Sequence, residues 1–262
     1  MSYNILVTAL GGTIGSVKND TVSLDGNIFK ILDYYKEKDV DFECVSPFAC
    51  LSENMTKELW KELINYLENI DYEKYKGVII LHGSDTLAYT SSIIANAFFD
   101  KNIVLVASDK PIEDKTCNGT DNFINAVEHM KTNNKGVYVS YDGIIKGDEI
   151  TSADINDKFR HIKTSLAPTG KKDIVNKNIL IVKPYVGINT DSINLSKVDG
   201  VIFEMYHSAT VPKNIIDFSK KLKCPYCFVT HKSSADYETA KDIENILFNC
   251  TVENAYARMI LE

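Results

Sequence analysis

The chain has 262 residues, 44% of them hydrophobic and 25% charged, and a formal net charge of −7 at pH 7. The length holds one large domain or two small ones, and the composition is that of an ordinary globular protein. The acidic balance argues against nucleic acid as the main partner, because a phosphate-binding surface is normally basic, and no apolar run approaches the ~20 residues of a membrane span.

Asn4–Leu10 is an apolar, β-branched run that reads as a buried strand, and Gly11-Gly12 ends it. Glycine permits positive φ and close backbone approach, so the turn can be sharp. Thr13 follows at once and falls beyond the strand's carboxyl end, where open α/β sheets place their ligands. Its hydroxyl is a candidate nucleophile; taken alone, Gly-Gly-Thr reads first as a strand-ending turn. Residues 17–27 are polar and read as a mobile loop beside that turn. Ile28–Lys36 has helical spacing, and Phe42–Val45 is a short strand. Ser52–Thr56 reads as a helix entry with capping side chains. The helix beyond it carries Leu59, Trp60, Leu63, Ile64, Leu67 and Ile70 on one face.

Val78–Leu81 is a continuous apolar run, the signature of a central parallel strand buried on both faces. His82-Gly83-Ser84-Asp85-Thr86 ends it, and a helix follows through Ile93, Ile94, Ala97 and Phe98. The Ser84-Asp85 pair reads as a helix cap or as a second set of chemical groups at the same sheet edge as Thr13. Ile103–Val106 is the next strand, Phe123–Met130 a helix, and Val137–Val139 a strand whose Asp142-Gly143 turn returns through Ile144-Ile145. A second alternating set follows: strands at 179–182, 201–203 and 228–230, and helices at 213–223, 235–248 and 251–261. Thr251 is the expected cap of the last helix.

Strands alternating with helices mean a mostly parallel α/β sheet. The expected architecture is a larger N-terminal parallel-sheet domain (1–165), a linker (166–178) and a smaller α/β C-terminal domain (179–262). The N-terminus has no basic segment ahead of a signal-peptide core, so cytoplasmic residence is expected. The six cysteines are scattered, as suits reduced thiols. Cys224-Pro-Tyr-Cys227 has redox or zinc spacing, but it follows a helix and enters a strand, and no second pair completes a zinc site.

Leu10-Gly11-Gly12-Thr13-Ile14-Gly15-Ser16 and His82-Gly83-Ser84-Asp85-Thr86 resemble the two signatures of bacterial-type L-asparaginases and their glutaminase-asparaginase relatives. Other segments agree in order. Ala49–Met55 resembles the substrate-binding Ser-Gln/Glu-Asp-Met segment. Asp109-Lys110-Pro111 with Asn118-Gly119 and Asn122–Ala126 resembles the Arg-Pro, Asp-Gly and Asn-Leu-x-x-Ala stretch. Gly136–Val139 with Gly147–Ile150, and Tyr256–Ile260, resemble the strand and turn after it and the start of the final helix.

The resemblance implies an amidohydrolase that converts a side-chain amide, L-asparagine or a related small amide, to the acid plus ammonia through an acyl-enzyme. Thr13 would be the nucleophile. Ser84 would stand for a second catalytic threonine, and Asp85 would hold the substrate α-amino group and support the proton relay. Ser52 would bind the α-carboxylate, with Glu53 assisting at the amine. The family uses no cofactor or metal and works as an intimate homodimer, often paired into a tetramer.

The chain departs from that pattern at three places. Ser152 stands where a relay lysine is expected. Residues 17–27 hold no lid tyrosine, only the hydroxyls of Thr21 and Ser23. Tyr206–Thr210 replaces the neighbouring subunit's Gly-x-Gly-Asn, with His207 inside it. Two alternatives follow: a catalytically weak homologue that binds a small amino acid, or an amidotransferase-type subunit that hydrolyses an amide for a partner.

Overall fold

The computed structural model describes residues 3–18, 22–24, 27–132 and 134–262. β1 (Tyr3–Ala9) leads through a 3-10 turn at Thr13–Gly15 into an antiparallel ribbon of β2 (Ser16–Lys18) and β3 (Val22–Leu24). Of the loop expected over 17–27, residues 17–18 and 22–24 are strand; Thr21 lies outside the described residues. The helix expected at 28–36 is a short 3-10 helix, Lys30–Tyr34, with no side-chain cap. An uncapped segment this short keeps too few intrachain bonds to hold a longer α-helix.

β4 (Val40–Val45) is followed by α1 (Lys57–Glu68), whose buried Trp60, Leu63, Ile64 and Leu67 bear out the apolar face. β5 (Gly77–Leu81), α2 (Leu87–Ala97), β6 (Asn102–Val106), α3 (Gly119–Lys131) and β7 (Gly136–Ser140) complete the alternation. β8 (Ile144–Lys146) returns antiparallel to β7. Asp142 takes φ 51° and Gly143 φ 145° in the connecting turn.

The main sheet runs β4-β1-β5-β6-β7-β8 and is parallel except at β7–β8. Alternate residues face opposite layers. Leu6, Val78, Ile80, Ile103 and Leu105 pack with α1 and α2 on one side. Ile5, Val7, Ile79, Leu81, Val104 and Val106 pack with Phe123, Ala126, Val127 and Met130 of α3 on the other. β5 and β6 are buried along their whole length, as expected of central parallel strands covered on both faces.

The second sheet is β12-β11-β10-β9, all parallel: β9 (Ile179–Val182), β10 (Gly200–Glu204), β11 (Tyr226–Val229) and β12 (Ile246–Leu247). α4 spans Lys213–Ser219, shorter than the expected 213–223; the chain must leave helical geometry before Pro225, which disfavours it in the preceding residue. The helix expected at 235–248 is absent. A 3-10 turn (Glu238–Ala240) and β12 replace it. Asn245 and Asn249 adopt φ 57° and 48°, left-handed geometry that asparagine tolerates and a helix does not.

α5 (Val252–Ile260) is capped by Thr251, whose hydroxyl accepts from Asn254 N at 3.1 Å. It serves both sheets: Ala257 and Ile260 enter the core of the main sheet, while Ala255 packs against Ile202, Cys227 and Val229 of the second. A buried polar link fixes it to α2. Asn96 Nδ2 donates to Asn254 Oδ1 at 3.0 Å, and Arg258 donates to Asn96 Oδ1 at 3.1 Å. Among the described residues no helix is long and apolar enough to cross a membrane.

Candidate active site

β1 has β4 on one side and β5 on the other. The strand order reverses between β1 and β5, and the crevice outside the carboxyl ends at such a reversal is where open α/β sheets bind ligands. Both chemistry-bearing loops open there. Leu10 N donates to Leu81 O at 3.0 Å and Cys50 N to Leu10 O at 2.9 Å, so the strand pairing continues past the formal ends and draws the segment before Ser52 beside the Thr13 turn.

Gly11 and Gly12 have φ 102° and 84°. Gly12 also lies against Gly83: a Cβ on Gly12 would be 2.3 Å from both Cα and N of Gly83. A Cβ on Gly83 would be 2.4 Å from Ser52 Oγ. Two glycines thus let the backbones of the β1 and β5 loops touch, and Thr13 and Ser84 are the residues immediately beyond that contact. Gly15 N donates to Gly12 O at 3.0 Å, closing the turn that carries Thr13.

Ser52 is 4% exposed and donates from Oγ to Asp85 Oδ2 at 3.3 Å. Thr13 and Ser84 are half-buried, whereas Asp85 and Glu53 are exposed. The sequence-derived residues therefore converge as Ser52–Asp85 by hydrogen bond and as the Thr13 and Ser84 loops by backbone contact. Glu53 is next along the Ser52–Asn54 3-10 turn. Burial, then the Glu53 charge, pushes the neighbouring Cys50 thiol up from its ordinary value.

Sequence reasoning gave no role to His82, which is 1% exposed. Its Nδ1 lies 2.7 Å from Gly83 O, and its Nε2 is buried without a partner among the described residues. The carbonyl can only accept, so Nδ1 carries the proton and donates. Burial pushes this imidazole down to about 4, although the Gly83 bond and the Asp85 charge oppose the fall. The folded pKa thus lies below the unfolded value of about 6.5, so the unfolded chain binds the proton first. Stability from this group is complete above about pH 6.5 and is lost as pH falls toward 4, by ~3 kcal/mol. In urea titrations between pH 7 and 4, wild type should lose more stability than His82→Asn, which keeps a donor for Gly83 O and does not ionise.

The departures from the family pattern are also placed. Ser152 donates from backbone N and from Oγ to Glu253 Oε1, at 2.7 and 2.6 Å. Glu253 is 6% exposed, in the first turn of α5. Tyr206–Thr210 forms a closed turn: Ala209 N donates to Tyr206 O at 2.8 Å, Tyr206 N to Thr210 O at 2.9 Å, and Ala209 has φ 57°. His207 is exposed at the rim of a cavity of about 370 Å³ at the ends of β10 and β11, which Arg160, Glu204, His231 and Lys232 also line. Among the described residues no cluster of three His, Cys, Asp or Glu is arranged to hold a metal. Cys227 is buried within β11, and burial pushes its thiol up to about 12, the opposite of a reactive thiolate.

Comparison with known proteins bears on the family and the fold. The family model described as Asparaginase, N-terminal, matches residues 4–166. L-asparaginase 1 of Escherichia coli K12 is 24% identical over 249 residues, which cover 80% of this chain and 73% of that protein. A component of the glutamyl-tRNA(Gln) amidotransferase of Saccharolobus solfataricus is 25% identical over 185 residues, 65% of this chain and 41% of that one. The crystal structure of L-asparaginase I from Vibrio cholerae superposes with a TM-score of 0.79 at 21% identity, covering 100% of this chain and 92% of that chain. The arrangement of the sheets and the match over residues 4–166 lead to one conclusion: the chain belongs to the asparaginase family.

Proposed function

We propose that the protein is an asparaginase-like amidohydrolase acting on the side-chain amide of L-asparagine or a related small amide. The observation that carries this reading is the meeting, at the β1/β5 reversal, of the Thr13 turn with Gly83-Ser84-Asp85 and a buried Ser52 bonded to Asp85. Ser52 and Asp85 form a paired donor and carboxylate suited to an α-carboxylate and an α-amine, with Glu53 at the exposed rim. The Thr13 hydroxyl attacks the amide carbon, the C–N bond breaks, and the nitrogen leaves as ammonia with the proton taken from Thr13. Water then cleaves the acyl-threonine ester and regenerates the hydroxyl. Ser84 supplies the second hydroxyl beside Thr13.

We further propose a homodimer or homotetramer in which the Tyr206–Thr210 turn of a neighbouring copy approaches the pocket. A second reading, a small-amino-acid binder with weak catalysis, is favoured by Ser152, whose donors are both directed to Glu253. The deciding experiment measures ammonia release from asparagine, glutamine and related amides, alongside calorimetric titration with aspartate. Turnover on an amide supports the hydrolase. Tight aspartate binding with no turnover on the whole panel supports the binder, and turnover only with a co-purifying partner supports the amidotransferase-type subunit.

A further inference from the structure

Thr86 is the N-cap residue of α2, yet its side chain makes no cap hydrogen bond. The threonines at the N-caps of α1 and α5 behave otherwise. Thr56 accepts from Leu59 N at 3.3 Å and Thr251 from Asn254 N at 3.1 Å. A threonine cap typically stabilises a helix by ~1 kcal/mol, and α2 forgoes it. The Thr86 hydroxyl instead donates to the carbonyl of Ser52, at 2.9 Å and 34 residues away in sequence.

The recipient matters. Ser52 O already accepts from Met55 N at 3.1 Å, the bond that closes the Ser52–Asn54 3-10 turn. The side chain of the same residue bonds Asp85, the neighbour of Thr86. The Ser52 turn is therefore stitched twice to the start of α2: once through Ser52 Oγ to Asp85 and once through Thr86 to the Ser52 carbonyl. The first bond joins the two groups proposed to grip the amino acid. The second fixes the main chain from which Ser52 projects.

We propose that Thr86 is a positioning residue that holds the Ser52–Asn54 turn in register with Asp85 and so sets affinity for the α-amino-acid end of the ligand. It acts through Ser52 and touches no reacting atom. The ligand assignment rests on the function proposed above; the positioning itself does not.

The test compares Thr86→Val, which keeps the shape and loses the donor, with Thr86→Ser, which keeps the donor. Expected for Thr86→Val is a rise of about tenfold in KM for the amide and in Kd for aspartate, with kcat within about twofold of wild type. Tenfold is the effect of losing one ordinary hydrogen bond. Thr86→Ser should stay within about twofold of wild type in all three. Amide hydrogen exchange at Asn54 and Met55 should quicken about tenfold in Thr86→Val alone. Melting temperatures separate a general loss of stability from this local effect.

Equal behaviour of the two variants, or a fall in kcat at unchanged KM, would overturn the proposal. A wild type that neither hydrolyses amides nor binds aspartate would overturn the functional reading instead. The exchange comparison would then still decide whether Thr86 holds the turn.

Discussion

Thr13→Ala is expected to lower ammonia release by three orders of magnitude or more, while aspartate binding stays within a few-fold of wild type. Removing a nucleophile leaves only what binding and the surrounding dipoles contribute, so the loss falls on kcat rather than on KM. The turn itself should survive. Its shape comes from Gly11 and Gly12 and from the bond of Gly15 N to Gly12 O at 3.0 Å, none of which uses the Thr13 side chain. Steady-state rates with calorimetry on the same preparation check both parts. Retention of full activity would place the nucleophile elsewhere, with Ser84, across the Gly12–Gly83 contact, an alternative hydroxyl.

Gly12→Ala should destabilise the fold by ~4 kcal/mol, a fall of about 10 °C in melting temperature for a chain of this size. Two costs combine. A non-glycine residue at φ 84° is strained by roughly 1–3 kcal/mol. The new Cβ would also sit 2.3 Å from the Gly83 backbone, so one strand-end loop must shift. Gly187 separates the two: it has φ 80° with nothing within 4 Å of a Cβ. Gly187→Ala therefore incurs only the conformational cost and should melt within a few degrees of wild type. Equal melting of the two variants would show that the approach of the loops does not constrain the site.

The Ser152 arrangement gives the relay question a physical form. Oγ of Ser152 and its backbone N–H both point to one oxygen of a nearly buried carboxylate. Such charge-assisted bonds are strong, and a buried Glu253 stripped of them would be left with an unsatisfied charge. Ser152 is thereby committed to anchoring α5. In the proposed amidohydrolase, proton transfer would therefore fall to the groups at the β1/β5 reversal.

Much of this was legible in the residues. The apolar runs of β1, β5 and β6, the period-3.6 face of α1 and the Thr251 cap each rest on a local rule that tertiary contacts reinforced. The Gly-Gly-Thr turn and Gly-Ser-Asp-Thr were marked as the two strand-end loops that share one sheet edge, and the structure brings their backbones together. The misreadings came where local pattern was weak. At 235–248 a short helical spacing was broken by Asn245 in left-handed geometry, with Asn249 in the same geometry just beyond it. At 28–36 an uncapped segment settled as a single 3-10 helix. Cap chemistry was legible in type but not in partner: the sequence marks threonines before helices, and Thr56 and Thr251 cap while Thr86 reaches across to Ser52.

By itself, then, the sequence determined the alternation of strands and helices and the residues that end the strands, because hydrophobic periodicity and turn chemistry are local properties. The reversal of strand order between β1 and β5, the contact of Gly12 with Gly83, the burial of His82 and the bonds of Ser52 and Ser152 were decided only by the tertiary structure. Each depends on which strands pair and how closely two distant backbones approach, and no local rule contains that information.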